Sequence, residues 1–197
     1  MCHMLLRDAR LYASLLQFDR DLAERAGGEP CPQCAGVLHR GDFPRKPRGA
    51  AEALLGDGYN ERFSFCCSMD GCRKRMTPAS VRFLGRRVYL GVVFVLVTAM
   101  RHGASSPRLA TLRQWFGVSA QTVLRWRAWW LATFVETPFW KAQRGLFIPT
   151  LCEQTMPASL LARMGDDGVV ETWMRLMEFL APLTTRSAQE KAGNLMG

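Results

Sequence analysis

Apolar residues recur at helical spacing along much of the chain, which predicts a mainly helical protein. The first such stretch covers residues 4–25, where charged residues lie opposite the apolar face and Gly27 and Gly28 follow as stop signals. Its apolar stripe consists of Leu5, Tyr12, Leu15 and Leu22. This spacing predicts an amphipathic N-terminal helix with one buried face.

Residues 62–67, "RFSFCC", follow a different pattern, in which Phe63, Phe65 and Cys67 alternate with other residues. A period of two is typical of a strand with one buried face. Upstream, residues 37–38 form a short apolar run within a segment rich in Pro, Gly and Arg. The two stretches predict a small sheet between the helices.

The most apolar run lies within residues 86–103, and its length predicts a helix although Val is frequent there. Gly103 supplies a C-terminal stop. The uninterrupted apolar part, residues 88–100, is shorter than the roughly 20 residues that a helix needs to cross a bilayer. The first 25 residues lack the basic start and apolar core of a secretory signal. We therefore expect a cytoplasmic protein without a membrane span.

Two pairs of residues mark the starts of further helices. Ser106–Pro107 and Thr137–Pro138 each combine an N-cap residue with a proline at the first helical position. A last apolar helix is predicted at residues 169–180, before Pro182. Because its apolar face is wide, we expect it to pack against the N-terminal helix of the same chain or of a second chain in a homodimer.

The positive charge of the chain is concentrated in its middle. The net charge is +9, and residues 31–145 carry 18 Lys and Arg against 6 Asp and Glu, whereas both flanks are near neutral. A basic block of this kind favours a polyanionic partner, with nucleic acid first and an anionic membrane surface second. The hydrophobic fraction of 48% is that of a globular protein, which excludes disorder throughout.

Clustered cysteines indicate a metal site. Cys31 and Cys34 flank a "CPQC" turn, in which two thiolates and the backbone can wrap around one tetrahedral ion. The stretch "FSFCCSMDGCRKR" contains three more cysteines and runs directly into Arg73, Lys74 and Arg75. In a reducing compartment, cysteines grouped in this way indicate metal binding rather than disulfides.

The second pair of ligands is either Cys67 and Cys72 or Cys66 and Cys72. Strand alternation favours Cys67, because it points to the same side as Phe65 while Cys66 points to the other. His39 could replace one cysteine, although a single histidine near a strand is more often an ordinary surface or core residue. Four thiolates predict one structural zinc ion, since closed coordination leaves no open position for catalysis. The predicted ligands are Cys31, Cys34, Cys67 and Cys72.

Residues 109–130, "LATLRQWFGVSAQTVLRWRAWW", have the pattern of a helix-turn-helix. Gly117 stands where the turn needs a positive φ, Val118 fills the corner, and Ser119 caps the second helix. The predicted buried stripe of the second helix is Val123, Trp126 and Trp130. We interpret its tryptophans as core residues rather than as surfaces on which bases stack.

The opposite face of the second helix carries the candidate base contacts. Gln121 and Arg125 are four residues apart and project together, so they can read adenine and guanine through paired hydrogen bonds. The residues placed for phosphate contacts are Ser119, Thr122, Arg127, Arg73, Lys74 and Arg75. The sequence thus predicts specificity from the helix and affinity from the basic run.

The stretches "CPQC", "FCCSMDGCRKRMTP" and "FGVSAQTVLRWRAWW" resemble the N-terminal DNA-binding part of bacterial insertion-sequence transposases, where a four-cysteine zinc ribbon precedes a helix-turn-helix. They also resemble the small reading frames found beside such elements. The resemblance covers residues 31–130, about half of the chain. It implies zinc ligands at the four cysteines and a DNA face that includes Gln121, Thr122 and Arg125.

Full transposases of this kind continue into a nuclease domain in which three carboxylates hold two metal ions, and residues 131–197 are too few for that fold. We therefore expect a sequence-selective DNA-binding protein and not an enzyme. It would be an accessory, a regulator or a truncated relative of a transposase, and could act with a transposase or other catalytic partner. The alternative is an RNA-binding or protein-scaffolding zinc-ribbon module.

The expected fold is mainly α with a small β zinc ribbon, followed by a helix-turn-helix helical domain. We expect four units along the chain. They are an N-terminal helix at residues 1–28, a zinc ribbon with a basic insertion at 29–80, the helix-turn-helix domain at 81–148 and a C-terminal helical tail at 149–197.

Overall fold

A computed structural model of the chain describes residues 6–83, 91, 93, 95, 106–165 and 169–185. Its α-helices are α1 Ala9–Gly28, α2 Ser106–Phe116, α3 Ala120–Ala128, α4 Pro138–Gln143, α5 Ala158–Met164 and α6 Val170–Leu180. A π-helical segment, Trp129–Phe134, continues α3. Short 3-10 turns lie at Glu52–Leu54, Arg144–Leu146, Glu153–Thr155 and Ala181–Thr184. In these residues we find no helix with the length and apolarity that a membrane crossing requires.

Short strands form two antiparallel sheets between α1 and α2. The strands are β1 Leu38–Arg40, β2 Phe43–Pro44, β3 Glu61–Arg62, β4 Phe65–Cys67 and β5 Arg75–Met76. The first sheet has the order β1-β4-β5, and the second pairs β2 with β3. In the first sheet, Cys67 lies opposite Leu38, and Cys66 lies between His39 and Arg75. The predicted mainly helical fold with a small sheet is therefore confirmed.

Helix α1 begins five residues later than the sequence analysis predicts. Asp8 caps it, because its carboxylate accepts a hydrogen bond from the backbone N–H of Arg10 at 2.9 Å. The helix ends at Gly28, where the two glycines predict a stop. Its buried residues are Leu11, Tyr12, Leu15, Leu16, Asp19 and Ala23. An aspartate thus lies within the apolar stripe, which the sequence analysis does not foresee.

Asp19 forms a fully buried ion pair with Arg82. The Arg82 Nε donates to Asp19 Oδ2 at 2.7 Å, and both side chains are 0% exposed. The backbone N–H of Val81 donates to Asp19 Oδ1 at 2.7 Å, and the Ser80 hydroxyl donates to Oδ2 at 2.5 Å. Both carboxylate oxygens are therefore satisfied by residues 80–82, far from α1 in the chain.

The Arg82 guanidinium extends this network to residues 59–61, at the start of β3. It donates to the carbonyl oxygens of Tyr59 and Glu61 at 2.6 and 2.8 Å. It also lies 5.2 Å from the ring centroid of Tyr59, 4.8 Å from that of Phe63 and 5.0 Å from that of Phe83. Buried charges are tolerated when they are paired and hydrogen-bonded in this way.

The C-terminal turn joins the same network. The backbone N–H of Ser80 donates to the Thr184 hydroxyl at 2.9 Å, and that hydroxyl donates to the carbonyl of Ala181 at 2.6 Å. Helix α6 contacts α1 and α5 within the chain. Packing of α6 on the N-terminal helix is thus observed within one chain, whereas the homodimer stays a prediction. These contacts also cross the boundaries of the four expected units, whose limits stay a prediction.

Aromatic side chains form the core between the π-helical segment and α6. The ring centroid of Phe134 lies 4.7 Å from that of Trp130 and 5.2 Å from that of Trp140. Phe147 connects this group to α6, with centroids 5.8 Å from Trp140 and 5.6 Å from Phe179. Trp130 and Trp140 are buried, so the interpretation of Trp130 as a core residue is confirmed.

One of the two predicted helix starts is confirmed, because the Thr137 hydroxyl caps α4 by accepting a hydrogen bond from the backbone N–H of Trp140 at 3.1 Å. Ser106 and Pro107 both lie in α2, and the residues directly before Ser106 are outside the described part of the chain, so the cap expected of Ser106 stays a prediction. Of the helix predicted at residues 86–103, positions 91, 93 and 95 are described and are helical. The other positions of that helix, and Leu5 of the N-terminal helix, lie outside the described residues.

Replacing Asp19 by Asn should leave the Arg82 cation buried without its partner. We expect the free energy of unfolding to fall by about 3–5 kcal/mol, measured by urea denaturation of the metal-loaded protein. Asp21→Asn is the matched control, since Asp21 is exposed on the same helix, and should change stability by no more than about 0.5 kcal/mol. Equal effects of the two substitutions would contradict the structural role of the pair.

Candidate metal centre and the surfaces around it

The four predicted ligands come together in the structure. The Sγ atoms of Cys31, Cys34, Cys67 and Cys72 all lie within 4.8 Å of one another. Cys31 Sγ is 3.9 Å from Cys72 Sγ, and Cys34 Sγ is 3.4 Å from Cys67 Sγ. A tetrahedral ion with metal–sulfur bonds of about 2.3 Å places its ligands about 3.8 Å apart. The cluster therefore has the size of a site for one metal ion.

Two similar turns position these sulfurs. In each turn the residue directly after the second ligand has a positive φ: Ala35 after Cys34 with 57°, and Arg73 after Cys72 with 43°. In the first turn the Ala35 N–H donates to the carbonyl of Cys31 at 2.8 Å. Non-glycine residues rarely adopt this conformation and keep it only where surrounding contacts hold them. Both turns therefore have the same backbone feature next to the cluster.

Backbone N–H groups point at each sulfur. The donor is always two residues beyond the ligand, at Gln33, Gly36, Met69 and Lys74. The Met69 nitrogen, for example, lies 3.5 Å from Cys67 Sγ. Hydrogen bonds of this kind favour the charged thiolate, and the N–H of Gln33 is the main reason that the pKa of Cys31 is lowered to about 7. At Cys34, Cys67 and Cys72 the backbone N–H also lowers the pKa, but the neighbouring cysteines and burial outweigh it, so the pKa of these three thiols is raised. Thiolates are the form in which cysteine binds metal.

Gly36 is a residue of the site that the sequence analysis does not single out. A Cβ at this position would lie 2.3 Å from Cγ of Met69 and 3.2 Å from Sγ of Cys67. A larger residue would have to displace the Met69 side chain and would crowd Cys67, so glycine favours the close approach of the second turn to the first. The sequence contains one signal for this role: Gly36 stands two residues after Cys34, where a glycine lets the backbone come close to the sulfurs.

Cys66 lies outside the cluster. Its Sγ is 3.5 Å from the carbonyl oxygen of Arg73, and its cross-strand neighbours are His39 and Arg75. Neighbouring residues of a strand point to opposite faces, so Cys66 and Cys67 are separated by the sheet. The structure therefore agrees with Cys67 as the third ligand, and it places His39 on the face away from the cluster.

The basic run leaves the cluster directly after the last ligand. Arg73, Lys74 and Arg75 are exposed. Arg73 forms an exposed ion pair with Asp70. The backbone of the run is held by the sheet, because the Cys67 N–H donates to the carbonyl of Lys74 at 3.0 Å. The same strand pair that carries a ligand thus fixes the position of these cations.

A turn of three residues joins α2 to α3. Gly117 has a φ of 63°, which favours glycine, and Val118 is 0% exposed. The Ser119 hydroxyl caps α3 by accepting a hydrogen bond from the backbone N–H of Thr122 at 3.2 Å. The roles expected of the glycine, the corner valine and the cap are therefore observed.

The outer face of α3 presents two of the predicted contact residues. Gln121 and Arg125 are exposed, and Arg127 is half-buried. Thr122 differs from the prediction, because it is buried and its hydroxyl lies 2.9 Å from that of Ser119. This side chain completes the cap of the helix, which argues against the phosphate contact expected for it.

We compared the chain with protein-family models, with curated proteins and with solved structures, and none of the three comparisons finds a match. The resemblance to transposase modules therefore stays an expectation from the motifs.

We expect the purified protein to contain one metal ion per chain, as measured by elemental analysis. Cys67→Ser should lose the ion, because it removes one of the four convergent sulfurs. Cys66→Ser is the matched control one residue away and should keep the full metal content. Loss of the ion in the Cys66 variant with retention in the Cys67 variant would show that the strand is out of register.

Proposed function

We propose that this chain is a sequence-selective DNA-binding protein stabilised by one structural zinc ion. Four thiolates favour zinc in a small closed site, and their spacing in this chain fits its tetrahedral geometry. The ion would join two turns whose strands are only two or three residues long. Structural zinc contributes on the order of 10 kcal/mol to folding, which is ample for a segment of this size.

The observation that carries the proposal is the two-sided character of α3. Val123 and Trp126 are buried and hold the helix against the protein, whereas Gln121 and Arg125 are exposed. With the preceding turn and cap, we interpret α2 and α3 as a helix-turn-helix whose second helix enters the major groove. Gln and Arg are the side chains that pair with adenine and guanine there through two hydrogen bonds each.

Charge supports a nucleic-acid partner. The positive charge is concentrated in the middle of the chain, where residues 31–145 carry 18 Lys and Arg against 6 Asp and Glu and which contains both the cluster and α3. Arg73, Lys74 and Arg75 are exposed beside the cluster, where the fixed backbone would set their position against phosphates. We assign specificity to α3 and non-specific affinity to this run.

The motifs make an accessory, a regulator or a truncated relative of an insertion-sequence transposase the most fitting role. In this proposal the protein binds element ends or a promoter and supplies no catalysis of its own. A transposase or another catalytic partner would carry out any strand cleavage. RNA binding and protein scaffolding are the outcomes against which the proposal is tested.

Arg125→Ala should remove most of the sequence preference. A bidentate contact to guanine discriminates by about 1–3 kcal/mol, so binding to the preferred duplex should weaken by roughly tenfold or more while binding to scrambled duplex changes little. The preferred duplex is first obtained by selection from a random pool. Fluorescence anisotropy on both duplexes measures the difference. Equal weakening on the two duplexes would contradict the assignment.

Replacing Arg73, Lys74 and Arg75 together by Ala should act differently. Each lost phosphate contact lowers the slope of log affinity against log salt by about 0.9, on preferred and scrambled duplex alike. Titrations at several salt concentrations give this slope. An unchanged slope would exclude the run from the interface, and tighter binding to RNA than to any duplex would favour the alternative function.

A further inference from the structure

A second basic segment runs from Arg40, the last residue of β1, to Arg48, ahead of the 3-10 turn at Glu52–Leu54. We call residues 40–48 the insertion. Its cations are Arg40, Arg45, Lys46 and Arg48. Lys46 and Arg48 are exposed. Insertions of this kind are often mobile, whereas this one is held by contacts with the core and with residues next to the cluster.

Arginines and aromatic rings alternate from the core to the insertion. The buried Arg82 lies over Phe63 and Phe83 at 4.8 and 5.0 Å from their ring centroids. Arg40 lies over the same Phe63 ring at 5.0 Å, and Arg45 lies over the same Phe83 ring at 5.8 Å. Two arginines of the insertion are thus seated on rings that the buried ion pair also contacts. Stacking of this kind restricts the guanidinium to a fixed position.

The start of the insertion is also tied to Ser64, the residue directly before β4, which ends in Cys67. The Gly41 N–H donates to the carbonyl of Ser64 at 2.8 Å, and the Ser64 N–H donates to Asp42 Oδ1 at 2.9 Å. Arg75 of β5 lies over the ring of Phe43 in β2, with 5.7 Å between guanidinium carbon and ring centroid. Phe43 therefore places the insertion directly beside the basic run at residues 73–75.

The charges of the two segments are not neutralised equally. Arg40 and Arg73 each pair with an aspartate two or three residues away, Asp42 and Asp70. Four other exposed cations of these two segments form no ion pair with any described residue, namely Lys46, Arg48, Lys74 and Arg75. We call these four residues the joined basic surface. Its charge calls for an anionic partner.

We propose that the joined basic surface is a phosphate-binding surface for the same DNA duplex that α3 reads, with Phe43 holding its two halves together. This inference rests on the proposed function. The three residues from Phe43 to Lys46 span at most about 10 Å of extended chain. A duplex carries one negative charge per roughly 1.7 Å of its axis, so one stretch of duplex can face both halves.

The first test removes charge from the insertion half. The full chain with bound metal is titrated with duplex DNA at several salt concentrations, which gives the slope of log affinity against log salt. In the Lys46→Gln/Arg48→Gln variant this slope should fall by about 1.8, on preferred and scrambled duplex alike. Lys141→Gln/Arg144→Gln is the matched control. It also removes two exposed cations, but each of them is paired with a glutamate, Glu136 or Glu153, so the slope should stay at the wild-type value.

The second test removes the contact between the two basic segments without changing any charge. Phe43→Leu deletes the ring beneath Arg75, and we expect two- to fivefold weaker binding to both duplexes with unchanged metal content. If DNA were attracted by the net charge alone, Phe43→Leu would bind both duplexes with wild-type affinity, because it removes no charge. If the variant loses its metal, Phe43 has a folding role, and the double variant then decides the proposal.

The two proposals fail in different ways. If the wild-type chain shows salt-dependent duplex binding and the Lys46/Arg48 variant keeps the wild-type slope, the joined basic surface is overturned while the proposed function stands. If the wild-type chain shows no salt-dependent duplex binding, both are overturned. Vesicles with anionic lipid serve as the competing probe. Loss of vesicle binding in the double variant with unchanged duplex binding would assign the surface to a membrane instead.

Discussion

The buried pair of Asp19 and Arg82 is the interaction on which the rest of the structure depends. Removing two charges from water costs several kcal/mol per ion, so such a pair persists only when its remaining donors and acceptors are satisfied. In this protein they are satisfied by residues from α1, from the start of β3 and from the chain around Ser80. The charge pair thus fixes three distant segments in one arrangement. Displacing any of these three segments would leave a buried charge without its hydrogen-bond partners in an apolar core.

The cysteine cluster is a second fixed point, and the basic insertion lies between the two. On one side, Phe63 and Phe83 contact both Arg82 and the arginines of the insertion. On the other side, Ser64 and Phe43 connect the insertion to the sheet that carries Cys67. Arg40, Arg45 and Arg75 would repel one another, and each of them is held over an aromatic ring.

Several features of the site could be predicted from the sequence because they depend on residues close together in the chain. The "CPQC" turn, the alternation that separates Cys66 from Cys67, and the cap at Ser119 all act over two to four residues. Their geometry follows from the periods of the strand and helix and from the backbone freedom of Gly117. The same rules did not reveal that Thr122 would be buried, because burial depends on what packs against the helix.

The sequence by itself determined the local elements, the four cysteines that cluster and the position of the positive charge. Only the tertiary structure decided where Asp19 would lie, since its partner Arg82 is 63 residues away and no periodic pattern connects them. The same holds for Phe43 and Arg75, which belong to different sheets. The physical reason is the distance along the chain over which each interaction acts. Propensity and hydrogen bonding within an element act between near neighbours, whereas the desolvation of a charge is set by every segment packed around it.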